Sequence, residues 1–303
     1  MRATGGEDRA GGVLRTERIL ITGARGLLGT ALVPYLRERG YDIWCHGRGG
    51  DVEIRADLCD PAQARAALDE VSPNVIVNLA ALTNVDACER SPQQAYRANV
   101  RLVENLTSWM RDTSNGCHLV QLSTDQVYDG PGPHREDDIT LSNYYGFSKY
   151  AGELAAASVD HTILRTNFFG PSRCVGRMSL SDWLVQSMAN SDPITVFEDV
   201  RFSPLSLQSL VSLLEVVIAK KERVAVNVGS RDGMSKADFA FALAEVMQLP
   251  TENMKRGTSE QIKLAAYRPK DMTMDSSRFE TAFGVELPTL KAEIQSMRGA
   301  YAS

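Results

Sequence analysis

The 303-residue chain is predicted to be an α/β protein built on a doubly wound parallel sheet. Short apolar segments of strand length alternate along it with longer segments of helical periodicity, the pattern of repeated βα units. The first apolar segment, residues 18–22, runs through a glycine-rich turn directly into a helical segment. Hydrophobic residues make up 43% of the chain and charged residues 23%, proportions that are ordinary for a globular protein.

The net charge and the cysteine pattern indicate which ligands and which cellular compartment to expect. The formal net charge of −5 argues against a nucleic-acid partner, because phosphate backbones select basic surfaces. The five cysteines are scattered without a CxxC pair, which is typical of reduced thiols in the cytoplasm, and no metal site is predicted. No apolar stretch approaches the length of a membrane span. We therefore expect a cytoplasmic protein that binds neither nucleic acid nor membrane.

The amino-terminal residues 1–17 are expected to form a disordered tail. They are rich in glycine, arginine and acidic residues, and they lack the apolar run of a signal peptide. Order is predicted to begin at Arg18 with a short buried strand.

The turn after this first strand has the spacing GxxGxxG over residues 23–29. Glycines between a strand and a helix let the backbone approach a pyrophosphate, and the helix N-terminus offers free N–H groups. A tight turn without ligand is the alternative. The pattern favours a dinucleotide site in a Rossmann-type sheet. The residues expected to contact the cofactor here are Gly23, Arg25, Gly26, Leu27 and Leu28.

The second predicted strand, residues 41–46, ends without a carboxylate. An Asp or Glu at that place accepts hydrogen bonds from a free ribose 2′-hydroxyl, whereas arginines suit a 2′-phosphate. Arg48 and Arg25 are candidates for that role, or else solvated surface arginines. The sequence thus favours NADPH as cofactor, with NADH as the alternative. Asp57 and Leu58 lie where a loop can close on an adenine ring.

Further strands and a long helix continue the alternation. They are predicted at residues 74–79, 92–111 (the helix), 118–123 and 162–165. Ligands of such sheets bind beyond the carboxyl ends of the strands, where Asn78, Ala80 and Ala81 lie. Thr124 ends the fourth strand, where its hydroxyl can bond either a substrate carbonyl or the local backbone.

Tyr145 and Lys149 are spaced to lie on one face of a predicted helix that Asn143 can cap. An ammonium beside a phenol favours the phenolate and lowers the phenol pKa from about 10. Such a pair can give a proton to an oxygen that gains charge as hydride reaches a carbonyl carbon. Taken alone, the spacing is a weak signal and favours the alternative of an exposed tyrosine and a solvated lysine.

Together, these motifs resemble an extended short-chain dehydrogenase/reductase, and within it the dTDP-4-dehydrorhamnose reductase family. The likeness runs from about residue 18 to residue 170 and thins afterwards. The segments that carry it are residues 23–29, 78–89, 123–130, 143–149 with 152–153, and 164–166.

The resemblance implies NAD(P)H-dependent reduction of a nucleotide-linked 4-keto-6-deoxy sugar. Tyr145 would be the general acid, and Lys149 would bind the nicotinamide ribose and lower the pKa of Tyr145. Thr124 would orient the keto oxygen, and Asn99 would support Lys149 through water. The residues that would line the cofactor beyond the glycine turn are Asn78, Ala80, Ala81, Asp57 and Leu58.

By the same resemblance, residues 18–170 form the dinucleotide-binding domain and residues 171–303 a mixed segment. Strands near 194–197 and 225–228 are expected to rejoin the sheet, while the rest forms a small substrate-binding lobe. Substrate contacts are expected from Thr83, Val85, Thr124, Asn167, Phe168, Arg201 and Arg268. For Arg201 and Arg268, a structural ion pair is the alternative to a diphosphate contact.

Two departures from the family pattern concern the substrate side. Asn167 and Phe168 follow the Leu-Arg-Thr segment where the family often has a Trp, and residues 198–205 differ from the usual motif. The rival functions are an epimerase or dehydratase of the same superfamily and a non-catalytic NADP-binding subunit similar to that of methionine adenosyltransferase. Gln126, in place of a second acid after Asp125, argues against a dehydratase. A homodimer is left open.

Overall fold

The computed structural model describes residues 15–301. The expected tail falls outside these residues as far as position 14, and its last three residues belong to the first strand. That strand begins at Arg15, three residues before the predicted start of order.

The strands are β1 Arg15–Thr22, β2 Tyr41–Gly47, β3 Ile54–Arg55, β4 Val75–Asn78, β5 His118–Thr124, β6 His161–Thr166, β7 Phe168–Phe169, β8 Ile194–Phe197, β9 Arg201–Phe202, β10 Leu205–Ser206, β11 Val224–Val228, β12 Met234–Ser235, β13 Met254–Gly257 and β14 Asp271–Met272. The helices are α1 Gly29–Glu38, α2 Pro61–Val71, α3 Val85–Arg90, α4 Pro92–Tyr96, α5 Leu102–Thr113, α6 Tyr144–Ala156, α7 Leu180–Ala189, α8 Leu207–Lys220, α9 Lys236–Met247, α10 Ser277–Phe283 and α11 Leu290–Gln295, with a π-helical turn at Arg97–Arg101.

The central sheet has seven parallel strands in the order β11-β6-β5-β4-β1-β2-β3. The chain leaves β1 in one direction to reach β2 and β3, and in the other to reach β4, β5, β6 and β11. The strand order therefore reverses between β1 and β4, which is where ligands of doubly wound sheets bind. The predicted fold class is confirmed.

Helices cover both faces of this sheet because successive side chains of each strand point to opposite sides. On β1, Ile19 and Ile21 join a core that contains residues of α1 and α8. Leu20, between them, joins a second core with residues of α2 and α5. All of these side chains are fully buried, so the strands are apolar without alternation.

The carboxy-terminal segment adds β11 to the sheet, beside β6, and builds a third core around α7, α9 and α11. β8 does not rejoin the sheet, contrary to the expectation for residues 194–197, but pairs with β13 outside it. β8 buries alternate residues only, whereas β4 is buried throughout. A strand with one covered face suits a small lateral pair better than the interior of a two-sided sheet. Among residues 15–301, no helix is long and apolar enough to cross a membrane.

Candidate active site

The glycine turn lies at the point where the strand order reverses. Gly23 has φ +66°, and a Cβ there would lie 2.9 Å from the backbone nitrogen of Ala80, in the loop after β4. A Cβ on Gly29 would lie 2.5 Å from the carbonyl oxygen of Ala24. Gly26 differs, since its Cβ would meet only the Gly23 carbonyl oxygen, at 3.2 Å. Gly23 and Gly29 thus permit close packing, while Gly26 leaves one side of the turn open.

Arginines gather at the end of β2. The guanidinium of Arg25 packs against the loop that follows this strand, because a Cβ on Gly50 would lie 1.2 Å from Arg25 Nη1. Arg48 is exposed in the same loop. Behind them His46 is buried, and its Nε2 lies 3.0 Å from the Ala56 carbonyl oxygen. Burial lowers the pKa of His46.

Several residues expected to line the cofactor have side chains in the core. Leu28 and Leu58 belong to the two cores of the sheet. Asn78 is buried, donates to Gln121 Oε1 at 2.7 Å and accepts from the Thr22 hydroxyl, so it ties three strands together. These three residues can offer a ligand only backbone atoms.

The remaining expected cofactor residues are more accessible. Ala80, which lies beside Gly23, is half-buried, as are Ala81 and Leu27 in the turn. Asp57 is also half-buried, but its carboxylate accepts from the Cys59 backbone N–H at 3.0 Å and pairs with Arg97 at 2.7 Å. The Asp57 side chain thus stabilises its own loop.

Tyr145 and Lys149 are both buried in α6, which excludes the alternative of an exposed tyrosine and a solvated lysine. Asn143 caps this helix by accepting from the Gly146 backbone N–H at 2.8 Å. The Thr124 hydroxyl, at the end of β5, lies close enough to the Tyr145 phenol to lower its pKa. Lys149 Nζ donates to the Leu122 carbonyl oxygen of the same strand, at 2.6 Å.

Burial shifts the pKa values of this pair in opposite directions. It raises the pKa of Tyr145, against a smaller lowering by the Thr124 hydroxyl. It lowers the pKa of Lys149 to about 8, against the carboxylate of Glu153. The net shift of the Tyr145 pKa is therefore opposite to the lowering expected from Lys149. The reason is that the phenol is withdrawn from water while the ammonium is bonded to Leu122.

Asn99 braces α6 from the π-helical turn. Its Oδ1 accepts from the Leu82 backbone N–H at 2.8 Å, and its Nδ2 donates to the Leu82 carbonyl oxygen at 3.0 Å and to Ser148 Oγ at 2.9 Å. The turn and α6 approach so closely that a Cβ on Gly152 would lie 2.3 Å from the Asn99 carbonyl oxygen. Asn99 thus holds the loop after β4 against the helix that carries Tyr145 and Lys149.

Asp125 belongs to the same cluster, although it was not among the site residues predicted from the sequence. It follows Thr124 directly and is fully buried. Its Oδ2 accepts from Asn167 Nδ2 at 2.7 Å, and its Oδ1 accepts from the Thr124 hydroxyl at 3.2 Å. Burial raises the pKa of Asp125 to about 6, opposed by Asn167 and by the ammonium of Lys236. Its position after Thr124 was the available signal; nothing local marks Lys236.

The expected substrate residues are dispersed more widely. Val85 packs in a small cluster with Tyr145, and Phe168 packs against the core under α1 and α8. Thr83 is exposed and accepts from Arg177 Nη2 at 3.3 Å.

The two expected diphosphate-binding arginines are both engaged in ion pairs. Arg268 pairs with Asp86 at 3.0 Å, and the exposed Arg201 pairs with Asp271 at 3.6 Å. Both arginines therefore form a structural ion pair, which was the alternative to a diphosphate contact.

Known proteins with similar sequences and structures agree with the geometry of this site. The family model described as RmlD substrate binding domain matches residues 17–302. A dTDP-4-dehydrorhamnose reductase from Streptomyces griseus is 32% identical over 282 residues, 88% of each chain. The protein is therefore an oxidoreductase of the short-chain dehydrogenase/reductase type, similar to sugar-nucleotide reductases. More narrowly, the chain belongs to the dTDP-4-dehydrorhamnose reductase family.

Two further relatives bear on cofactor and partners. The crystal structure of dTDP-4-dehydrorhamnose reductase from Bacillus anthracis in complex with NADP superposes with a TM-score of 0.83 at 25% identity, covering 92% of this chain and 98% of that one. Methionine adenosyltransferase 2 subunit beta from Rattus norvegicus is 26% identical over 288 residues, 88% of this chain and 82% of the relative.

Proposed function

We propose that the protein uses NADPH to reduce the keto group of a nucleotide-linked 4-keto-6-deoxy sugar. The observation that carries this proposal is the buried Tyr145, which lies beside Thr124 and one helical turn from Lys149. This cluster lies at the carboxyl edge of the sheet, the edge that also carries the glycine turn. Residues 18–170 would hold the dinucleotide, and the segment from residue 171 to 303 would supply much of the sugar site.

The residues of the glycine turn fit a dinucleotide. The open side of Gly26 lets a pyrophosphate approach the backbone before α1, and the glycine at position 29 seats that helix on the sheet. Arg25 and Arg48 provide positive charge at the end of β2, which suits a 2′-phosphate, and NADH remains usable without it. A reduced nicotinamide bound there supplies the hydride.

Residues of this protein orient and protonate the keto oxygen as negative charge develops on it. Thr124 orients this oxygen, and Tyr145 gives it a proton as the carbonyl carbon becomes tetrahedral, so that the product is an alcohol. The phenolate left on Tyr145 is stabilised by the ammonium of Lys149 and regains its proton from solvent. Asn99 holds the loop and the helix on which these groups depend.

Binding and turnover test this proposal separately. A thermal-shift screen of nucleotide diphosphate sugars, with NADPH present, identifies the ligand because binding to the native state raises the midpoint. The matching keto sugar nucleotide is then supplied, and oxidation of NADPH is followed by absorbance. We expect turnover by the wild type and its loss in Tyr145→Phe. Equal NADPH oxidation by both proteins, or none with any keto sugar nucleotide, contradicts the proposal.

A regulatory subunit is the second candidate, favoured by the likeness to methionine adenosyltransferase 2 subunit beta. The retained cluster of Thr124, Tyr145 and Lys149 favours catalysis instead. Stoichiometric co-purification with a synthetase, together with no turnover, would support the regulatory subunit. Within the superfamily, NAD(H) retained through purification would favour an epimerase.

A further inference from the structure

The carboxyl group of Asp125 is hydrogen-bonded to Thr124, whose hydroxyl lies beside the Tyr145 phenol. Thr124 Oγ1 lies 3.2 Å from Asp125 Oδ1, and the Thr124 hydroxyl is close enough to the Tyr145 phenol to lower its pKa. The other carboxyl oxygen is fixed by the Asn167 amide, at 2.7 Å. Tyr145, Thr124 and Asp125 are all more than nine-tenths buried, so water does not compete for these bonds. Asp125 is therefore bonded to the hydroxyl that lies next to the proposed acid.

The Thr124 hydroxyl can form only a small number of hydrogen bonds at one time. A threonine hydroxyl donates one hydrogen bond and accepts two. One lone pair of Thr124 is taken by the backbone N–H of Gln126, at 3.2 Å. While Asp125 is ionised, the hydroxyl proton is committed to its carboxylate. Thr124 then has only a lone pair to offer and cannot donate to a keto oxygen.

Protonation of Asp125 reverses the contact. The carboxylic acid then donates to Thr124 Oγ1 and fills its second lone pair. The Thr124 proton is released and becomes available to the keto oxygen beside Tyr145. The direction of a single hydrogen bond thus decides whether Thr124 can stabilise the negative charge that develops on the substrate.

We propose that Asp125 acts as a neutral carboxylic acid that positions the Thr124 proton toward the keto oxygen of the substrate. This inference rests on the proposed reductase function and deepens it. Asp125 is a positioning residue: its proton stays on the carboxyl group through turnover, and Tyr145 remains the donor to the product alcohol. Ionisation of Asp125 removes one hydrogen bond from the transition state.

The surroundings of Asp125 make its protonation sensitive to pH near neutrality. Burial raises its pKa to about 6, against the Asn167 amide, Lys236 and Thr124. The charged or titratable groups that face it are Lys236, at the start of α9, and Tyr145, on α6; Arg268 faces Lys236 in turn. Within residues 15–301, the Lys236 ammonium forms no hydrogen bond or ion pair, and it lies 5.9 Å from the ring centroid of Phe202. It therefore acts on Asp125 through space.

A titration without substrate tests the protonation state directly. The full-length protein, labelled with ¹³C at the aspartate carboxyls, is followed by NMR between pH 4 and 8, and the signal is assigned by its loss in Asp125→Asn. We expect a midpoint near pH 6. Lys236→Met should raise it by about one pH unit, because a nearby opposite charge is removed. A midpoint below about 4.5, close to an ordinary aspartate, overturns the inference.

A kinetic pH profile tests the consequence. For the wild type, kcat/KM toward the keto sugar nucleotide should fall up to about tenfold per pH unit above the midpoint. Asp125→Asn should lose this decline and keep kcat/KM within about threefold of the wild type at pH 6, because an amide donates to Thr124 at every pH and still accepts from Asn167. Asp137→Asn, at an exposed carboxylate, should keep the wild-type profile.

Two results in an active enzyme overturn the inference. They are an unchanged decline in Asp125→Asn, or a loss above about 100-fold at pH 6, which would show that the ionised carboxylate is required. Failure of the proposed function is distinguishable from both. If the wild type reduces no keto sugar nucleotide, the function fails and the inference with it, whereas a failed titration in an active reductase removes the inference alone.

Discussion

The carboxylate of Glu153 and the guanidinium of Arg165 form a buried ion pair, with 2.7 Å between Glu153 Oε2 and Arg165 Nη2. Arg165 Nε also donates to the same carboxylate, and Ser123 donates to its Oε1. The pair joins α6 to the sheet one helical turn from Lys149. Burial lowers the pKa of Lys149, and the carboxylate of Glu153 opposes this by raising it. Stability of the fold and ionisation of the site are therefore linked through Glu153.

Glu153→Gln should destabilise the protein, because it leaves the guanidinium of Arg165 buried without its counter-ion. Removing one partner of a buried pair costs about 3–5 kcal/mol. Urea unfolding followed by circular dichroism measures the loss. Glu280→Gln removes one of the two carboxylate partners of the more exposed Arg231, which keeps Glu286, and should cost less than about 1 kcal/mol. Equal losses in the two variants would show that the buried pair contributes no more to the free energy of unfolding than the exposed pair.

Tyr145→Phe should keep NADPH affinity and lose turnover. The ring still fills its buried place, while the proton donor is removed, and general acids contribute about 10²–10⁴-fold. Steady-state kinetics and a fluorescence titration with NADPH measure the two effects. Tyr144→Phe is the matched control, because its neighbouring phenol is 46% exposed. A rate near that of the wild type would remove Tyr145 from the role of acid.

Gly26 and Gly29 should respond differently to alanine. At position 26 the added methyl meets only a carbonyl oxygen, so the protein should fold, but the methyl occupies the side open to a pyrophosphate and NADPH affinity should fall at least about tenfold. At position 29 the methyl collides with the backbone of Ala24, which should cost about 1–3 kcal/mol of stability. Unfolding curves and NADPH titrations separate these effects. Normal affinity in folded Gly26→Ala would contradict the placement of the phosphate site.

The parallel sheet and the glycine turn were predictable because their signals are local. Apolar runs, glycine spacing and the i, i+4 relation of Tyr145 and Lys149 are all contained in short segments. The predicted helix over residues 92–111 is helical throughout, but its middle part, Arg97–Arg101, is a π-helical turn between α4 and α5. That turn lies where the backbone of Asn99 approaches α6 at Gly152, a long-range contact that helical periodicity does not encode.

The environment of the site was less predictable for the same reason. Asp125 meets Asn167 and Lys236 only through the folding of distant segments. The pKa of Tyr145 was expected to fall from its spacing to Lys149, but burial raises it. Spacing along a helix indicates which residues share a face, whereas desolvation depends on what covers that face.

Cofactor preference can be tested at the end of β2, where Arg48 is exposed and Arg25 packs against Gly50. A carboxylate there would repel a 2′-phosphate, and its absence from the strand end leaves the attraction of the arginines unopposed. Charge-assisted hydrogen bonds contribute about 1.5–3 kcal/mol each. Arg48→Ala should therefore raise the KM for NADPH about tenfold or more and leave that for NADH nearly unchanged.

Salt and a distant arginine provide the controls for this prediction. Because exposed charges are screened, the preference of the wild type for NADPH should shrink as ionic strength rises, and Arg48→Ala should show a weaker dependence. Arg298→Ala removes an exposed charge from the segment after α11 and should alter neither KM. Steady-state kinetics with both cofactors decide the matter. A wild-type preference for NADH, or equal losses with both cofactors in Arg48→Ala, would show that Arg48 does not contact a 2′-phosphate.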